Sequence, residues 1–305
     1  MNNPATFDRE DSAVQFVLAL VAGRGQKTSG GLYLVRRLQD TTLRRRTSGA
    51  PAMTLVDDQR AVEANVVDAT VETQVDLGSA GTLKLAGELA LVLGTTTLAP
   101  TPDYPEHDLT QMGLAVQASL DRKSHGGVLD VLYASGDRNF DDGTQHAFRA
   151  DPNYEMGFLL FHHVIAGQSA RSPVTASDPS LVGMPADDLD RLPTRGAATN
   201  TLSFFPRGWW RPMDGLEVYG GPLVALTAVP NADPFNTRIN GGVPRNALNG
   251  APGRYLGTEL DVCVRYRTLF DGTVLTGGAE AGLFLPGCAL SDEEGTVMDN
   301  VFGAR

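Results

Sequence analysis

The sequence predicts an all-β fold, an antiparallel transmembrane β-barrel with long extracellular loops. Three observations predict it: two-residue alternation of polarity, segments longer than ordinary globular strands, and connections that alternate short and long. Successive side chains of a strand point to opposite faces, so alternating polarity gives one oily and one polar face. The alternating segments run to roughly 11–16 residues, against about 5–6 for a globular strand and about 9–11 for a tilted membrane strand. A soluble β-sandwich gives the same alternation, with shorter strands and more uniform connections.

Two weaker segments come first, residues 12–22 and 30–39. In 67–77, Val67, Ala69, Val71, Val75 and Leu77 share one face, and Asp68, Thr70, Glu72, Gln74 and Asp76 the other. The turn composition Gly78-Ser79-Ala80-Gly81 leads into 82–95, the clearest element, with Leu83, Leu85, Leu89, Leu91 and Leu93 opposite Lys84 and Glu88. Residues 109–122 and 127–136 repeat the pattern, the second setting Leu129, Val131 and Tyr133 against Asp130. Segments 200–211 and 216–229 are weaker. In 255–268, Leu260, Val262, Val264 and Tyr266 alternate with Glu259, Asp261, Arg265 and Arg267. After the turn Phe270-Asp271-Gly272, residues 273–285 set Leu275, Ala279, Ala281 and Leu283 against Thr276 and Glu280. Residues 299–305 read as the opening of a last strand.

The connections 24–29, 78–81, 123–126, 212–215 and 270–272 are short; those between them, 41–59, 96–108, 139–199, 230–253 and 286–299, are longer. Outer-membrane barrels keep short turns on the periplasmic rim and longer loops outside, and a sandwich has no reason to keep that parity. Single-chain bacterial barrels have an even number of strands, and the segments above are odd in number. The chain is therefore expected to be an incomplete barrel, one domain over residues 1–305, lacking a signal peptide, N-terminal strand(s) and the last strand. Within 139–199, Met156, Leu159, Leu160, His163, Val164 and Gly167 fall at helical spacing and predict a short helix over 156–167. It either folds into the lumen as a plug, packs on the outer rim, or is another strand.

Composition narrows the classes further. The net charge of −11 excludes nonspecific nucleic-acid binding, and Arg44, Arg45 and Arg46 form only a short basic run. Two cysteines exclude a disulfide framework, and no apolar run of about 18 residues exists to form a membrane helix. No Gly-x-Ser-x-Gly nucleophile elbow is present, and no enzymatic activity is expected.

Three stretches carry a family resemblance: Ala134-Ser135-Gly136-Asp137-Arg138-Asn139-Phe140-Asp141-Asp142-Gly143-Thr144 with Phe148 and Pro152 after it, Leu256-Gly257-Thr258-Glu259-Leu260-Asp261, and Phe284-Leu285-Pro286-Gly287. In order and placement they resemble the alginate-export-type outer-membrane β-barrel family, across roughly residue 126 to the end. The resemblance implies a cell outer-membrane channel of about 14–18 strands. The expected activity is passive diffusion of small hydrophilic solutes or a secreted saccharide, in contact with outer-membrane lipid and lipopolysaccharide. A non-conducting structural or receptor barrel and a soluble all-β binding protein are the alternatives. The family resembles a strongly electropositive tube, whereas the lumen face expected here mixes signs, so alginate itself is not carried over.

The candidate lumen and selectivity residues are Glu259, Asp261, Arg265, Arg267, Glu280, Lys84, Glu88, Asp68, Glu72 and Asp130, with Asp76 on the same face. Charges lining a pore select solutes by sign; the same charges also brace neighbouring strands. Glu259, Asp261, Arg265 and Arg267 form the densest cluster. No cofactor is expected beyond a possible loop calcium on Asp137, Asn139 and Asp141, where alternate oxygen-bearing side chains in a turn suit a hard cation. A solvated loop explains the same residues, as it does the acidic runs Asp187-Asp188-Leu189-Asp190 and Asp292-Glu293-Glu294.

Overall fold

The computed structural model describes residues 12–46, 55–98, 103–139, 142–151, 153–154, 156–169 and 197–305. Its strands form a single sheet, not the two of a sandwich. They are β1 (Ser12–Ala22), β2 (Thr28–Arg46), β3 (Leu55–Asp76), β4 (Thr82–Thr96), β5 (His107–Asp121), β6 (His125–Ala134), β7 (Thr144–Gln145), β8 (Thr201–Met213), β9 (Leu216–Leu226), β10 (Tyr255–Phe270), β11 (Thr273–Pro286) and β12 (Val301–Ala304). All but β7 lie side by side in chain order as an antiparallel meander; the two-residue β7 pairs in parallel with β5. Among the described residues β1 and β12 do not pair, so the sheet of twelve strands is open.

The parity of the connections holds. The strands are joined at one rim by residues 23–27, 77–81, 122–124, 214–215 and 271–272, and the strand ends at the other rim are separated in the chain by 47–54, 97–106, 135–200, 227–254 and 287–300. At the tightest turn Asp271 and Gly272 take φ of 47° and 75°. Positive φ at both central residues is the primed turn whose twist matches that of the flanking strands.

Two boundaries differ from expectation. Residues 41–59 are not one long loop: β2 and β3 stay paired from Thr28↔Thr73 to Arg46↔Leu55. Alternation stops near residue 40 because both faces turn polar beyond the oily band, but backbone pairing needs no oily face. The expected helix 156–167 is shorter and later, α1 (Phe161–Gln168). Gly157, at φ +73°, lies outside helical space, and residues 157–160 bend instead. A second helix, α2 (Pro234–Ile239), lies in the long connection expected over 230–253; Asp233 caps it by accepting from the Asn236 N–H at 2.7 Å.

The two faces of the sheet are inverted relative to a soluble protein. On β10, Val262 is 67% exposed and Leu260 41%, while Glu259 and Cys263, pointing the other way, are 0% and 1%. The exposed face of β4 carries Leu85, Leu89 and Leu93, and that of β5 Met112, Leu114 and Val116. From Leu83 to Leu93 the strand covers about 33 Å at roughly 3.3 Å per residue. Trp210, Tyr266 and Phe270 lie exposed towards the short-turn rim and Phe204 towards the other. Trp209 faces inward over Gly126, where a Cβ would lie 2.1 Å from its ring.

The long connections fold back onto the polar face, which is therefore the inward one. There Phe205, Leu223 and Phe284 from the strands enclose Met156, Phe161 and Ile165 from 135–200, and Ala289 and Leu290 from 287–300. The Phe161 ring sits 6.1 Å from that of Phe284, and Phe158 lies between Phe205 and Tyr219 at 5.2 and 5.5 Å. Burying a side chain of this size stabilises by about 1.5–3 kcal/mol.

Candidate functional site on the inward face

Residues directly opposed in an antiparallel pair point to the same face, so the register sorts the candidates. Glu72 opposes Ala86, Ala86 opposes Gln117, Gln117 opposes Asp130 and Asp130 opposes Phe205. Further on, Trp209 opposes Tyr219, Tyr219 opposes Cys263 and Cys263 opposes Glu280. Counting by twos from these partners places Asp68, Lys84, Glu88, Glu259, Asp261, Arg265 and Arg267 on that face as well. All ten candidate lumen residues share it.

Their surroundings divide them. Glu259 and Asp261 lie beneath the 135–200 connection. Glu259 Oε1 accepts from the N–H groups of Leu159 and Leu160 at 3.1 and 2.8 Å, and Oε2 from Phe161 N–H at 2.7 Å. Asp261 Oδ2 accepts from Phe158 N–H at 3.1 Å. The first amides of a helix have no partner within it and carry partial positive charge. α1 has no side-chain cap of its own, and the acids of β10 supply the acceptors. The approach is close enough that a Cβ on Gly157 would lie 2.5 Å from Glu259 Oε2, and one on Gly282 2.9 Å from Asp261 Oδ1.

Arg265 and Arg267, read from sequence as one cluster with these acids, sit apart at the short-turn mouth. With Lys123, Arg211 and Glu217 they line an open cavity of about 590 Å³. Glu217 joins Arg211 at 2.7 Å and also pairs with Arg265, whose guanidinium stacks over the Tyr219 ring, 5.5 Å from its centroid. Glu280 Oε1 accepts from the Tyr219 hydroxyl at 2.6 Å, and Oε2 from Arg305 Nε at 2.6 Å. Asp130 Oδ2 takes Arg207 at 2.6 Å and Oδ1 accepts from Gln117 Nε2 at 2.7 Å. These charges brace neighbouring strands.

The face of β2–β5 is more open. Tyr33, Thr70, Glu72, Glu88, Gln117 and the loop residue Tyr154 help line a cavity of about 360 Å³. Burial pushes the Tyr154 hydroxyl above its ordinary pKa, with Asp130 and Glu88 adding to the rise and Arg207 opposing it. Lys84 lies exposed on the same strand as Glu88.

The possible calcium loop is occupied by its own backbone. Asp137 Oδ1 accepts from Asn139 N–H and Oδ2 from His146 N–H, each at 3.0 Å. Burial raises the Asp137 pKa, and those two bonds oppose the rise. Asp141 lies outside the described residues, as does the run 187–190. Among the described residues no group of three or more His, Cys, Asp or Glu side chains could hold a metal ion.

Sequence reading passed over two residues that position this region. Gly157 is one. The other is Asn246, fully buried, whose Nδ2 donates to Ala289 O and Ser291 O at 3.2 and 2.7 Å while Oδ1 accepts from Leu248 and Gly250 N–H at 2.8 and 2.9 Å. It ties connection 227–254 to 287–300. The run Asn246-Ala247-Leu248-Asn249-Gly250 was a turn signal, but nothing in it names the distant carbonyls. No protein-family model matches this chain, and no curated protein matches it.

Proposed function

We propose that this chain forms an outer-membrane β-barrel of the alginate-export type and acts as a porin-like channel. It passes small hydrophilic solutes or a saccharide by passive diffusion, without turning them over. The observation that carries the reading is the inversion of polarity: exposed leucines, valines and aromatics on one face of the sheet, and carboxylates, arginines and amides on the other. At the tilt usual for membrane strands, about 40°, the roughly 33 Å from Leu83 to Leu93 would give an oily band about 25 Å tall. Irregular backbone is tolerated at membrane depth only where protein or a water-filled cavity surrounds it, which suits long connections folded onto the inward face. Lipid and lipopolysaccharide are the surroundings this surface calls for. The inward packing around α1 favours a second reading, a non-conducting barrel whose loops carry the function.

Conductance in a planar bilayer, with the protein refolded in detergent, tests the proposal. Stable current steps whose ion selectivity shifts in Arg265→Ala and Arg267→Ala are expected. A folded, detergent-dependent protein without current favours the non-conducting barrel. A monodisperse protein that needs no detergent overturns the membrane reading.

A further inference from the structure

Four consecutive backbone N–H groups, those of residues 158–161, are held by two side chains on one strand roughly a hundred residues away in the chain. A carboxylate has about four acceptor sites, so one acid can receive three successive amides and hold a segment of chain against its strand. Three further features converge on it. Gly157 and Gly282 remove the side chains that would block the approach. Phe158 and Phe161 flank the bound amides and dock on Phe205, Tyr219 and Phe284. Leu160 reaches the last strand, where a Cβ on Gly303 would lie 2.9 Å from it.

We propose that Glu259 is the positioning residue that latches the 156–168 segment across the inward face, with Asp261 as its second point, and that this latch sets the width of the conduit. The inference rests on the channel reading for its second half only. With the latch closed, Phe158, Phe161 and α1 fill the inward face of β8–β11 and leave solute the open side along β2–β5. With it open, the four amides lose their acceptors together, and an uncompensated helix start no longer holds against the wall.

The test compares Glu259→Ala, Glu259→Gln and wild type as folded protein in detergent and in planar bilayers. Chymotrypsin reads the latch, since Phe161 is fully buried and Phe158 partly buried when it is closed. Glu259→Gln keeps the oxygen that serves Leu159 and Leu160 but turns an amide towards Phe161 N–H. Cleavage at 158–161 is expected to accelerate at least about tenfold in Glu259→Ala, each bond to a charged acceptor weighing about that much in local opening, and by less in Glu259→Gln. The solute size cut-off, read by polymer exclusion, is expected to rise in the same order, a change that loss of stability alone does not produce. Equal protection in all three proteins overturns the latch. Rapid cleavage with an unchanged cut-off overturns its role in setting width. Graded cleavage in proteins that carry no current at all upholds the latch while removing the channel reading. Should Glu259→Ala fail to fold, Glu259→Gln and Gly157→Ala, whose added Cβ would collide with Glu259, supply the same comparison.

Discussion

The inward faces of β1–β4 and of β6–β11 are written in the same alternating code, yet one lies open and the other is filled. Every fully buried member of the apolar cluster stands at or beyond Leu132 in the chain, whereas both faces of β1 are exposed along its whole length. The strands do not account for the difference. The connections do: the described residues of 135–200, together with 227–254 and 287–300, emerge between strands of the second half and fold back over it, while 23–27 and 77–81 only turn the chain. Alternation decides which way a side chain points; what it meets there is decided by the loops.

The largest expected effect tests whether the second half is packed like a core. Phe205 is 4% exposed, edge-on to Phe158 and stacked by the Arg207 guanidinium at 5.3 Å. Phe205→Ala should destabilise by about 3–5 kcal/mol in equilibrium urea unfolding in lipid vesicles, and Tyr33→Ala on β2 clearly less. Equal costs would mean that the two halves are not distinct.

The second test turns to the outer face. Leu89→Arg, in the middle of the oily band on β4, should cost about 2–4 kcal/mol in the same assay, the depth-dependent cost of a cation facing hydrocarbon. Thr70→Arg, inward on the neighbouring strand, should cost about 0.5 kcal/mol or less. Similar small costs at both positions would mean that water covers both faces.

Third, two ion pairs of like chemistry stand in unlike places. Asp130 and Arg207 meet at 2.6 Å with side chains 16% and 28% exposed; Arg36 and Glu63 meet at 3.1 Å with 49% and 57% exposed. A double-mutant cycle on the first should return about 1–3 kcal/mol, because truncation also strips Gln117 of its partner, and on the second about 0–1 kcal/mol. Reversal of that order would mean that the inward pair is no better shielded from water than the exposed one.

Much of the wall was legible in the sequence and little of what fills it. Leu83 to Leu93 alternate without a break, so the strand, its faces and the inward set from Asp68 to Glu280 follow from period alone. The extension of β2 and β3 to Arg46↔Leu55 did not, because pairing there is held by backbone bonds that any polar residue permits. The partners of Glu259 were also out of reach. Leu159, Leu160 and Phe161 contribute amides, not side chains, and an amide leaves no mark on sequence. The single local sign was Gly157, one glycine among 34.

The smallest effect concerns Asp137, at the root of the long connection that makes the second half what it is. Two influences oppose each other there. Burial, the larger, raises its pKa, and the amides of His146 and Asn139 pull it down. With the native value raised, the folded chain holds the proton to higher pH than the unfolded chain does. The contribution of Asp137 to stability is therefore fully present below the ordinary aspartate value of about 3.9 and is lost as pH rises through the raised native value. Amide hydrogen exchange at Asn139 and His146, corrected for the intrinsic pH dependence of exchange, should show protection falling across that window, and Asp137→Asn should flatten the slope. Protection that instead grows with pH would mean that the two amides outweigh burial, and that the root of the connection is held by a charged acceptor of its own, whereas its amides 158–161 are received by acids of β10.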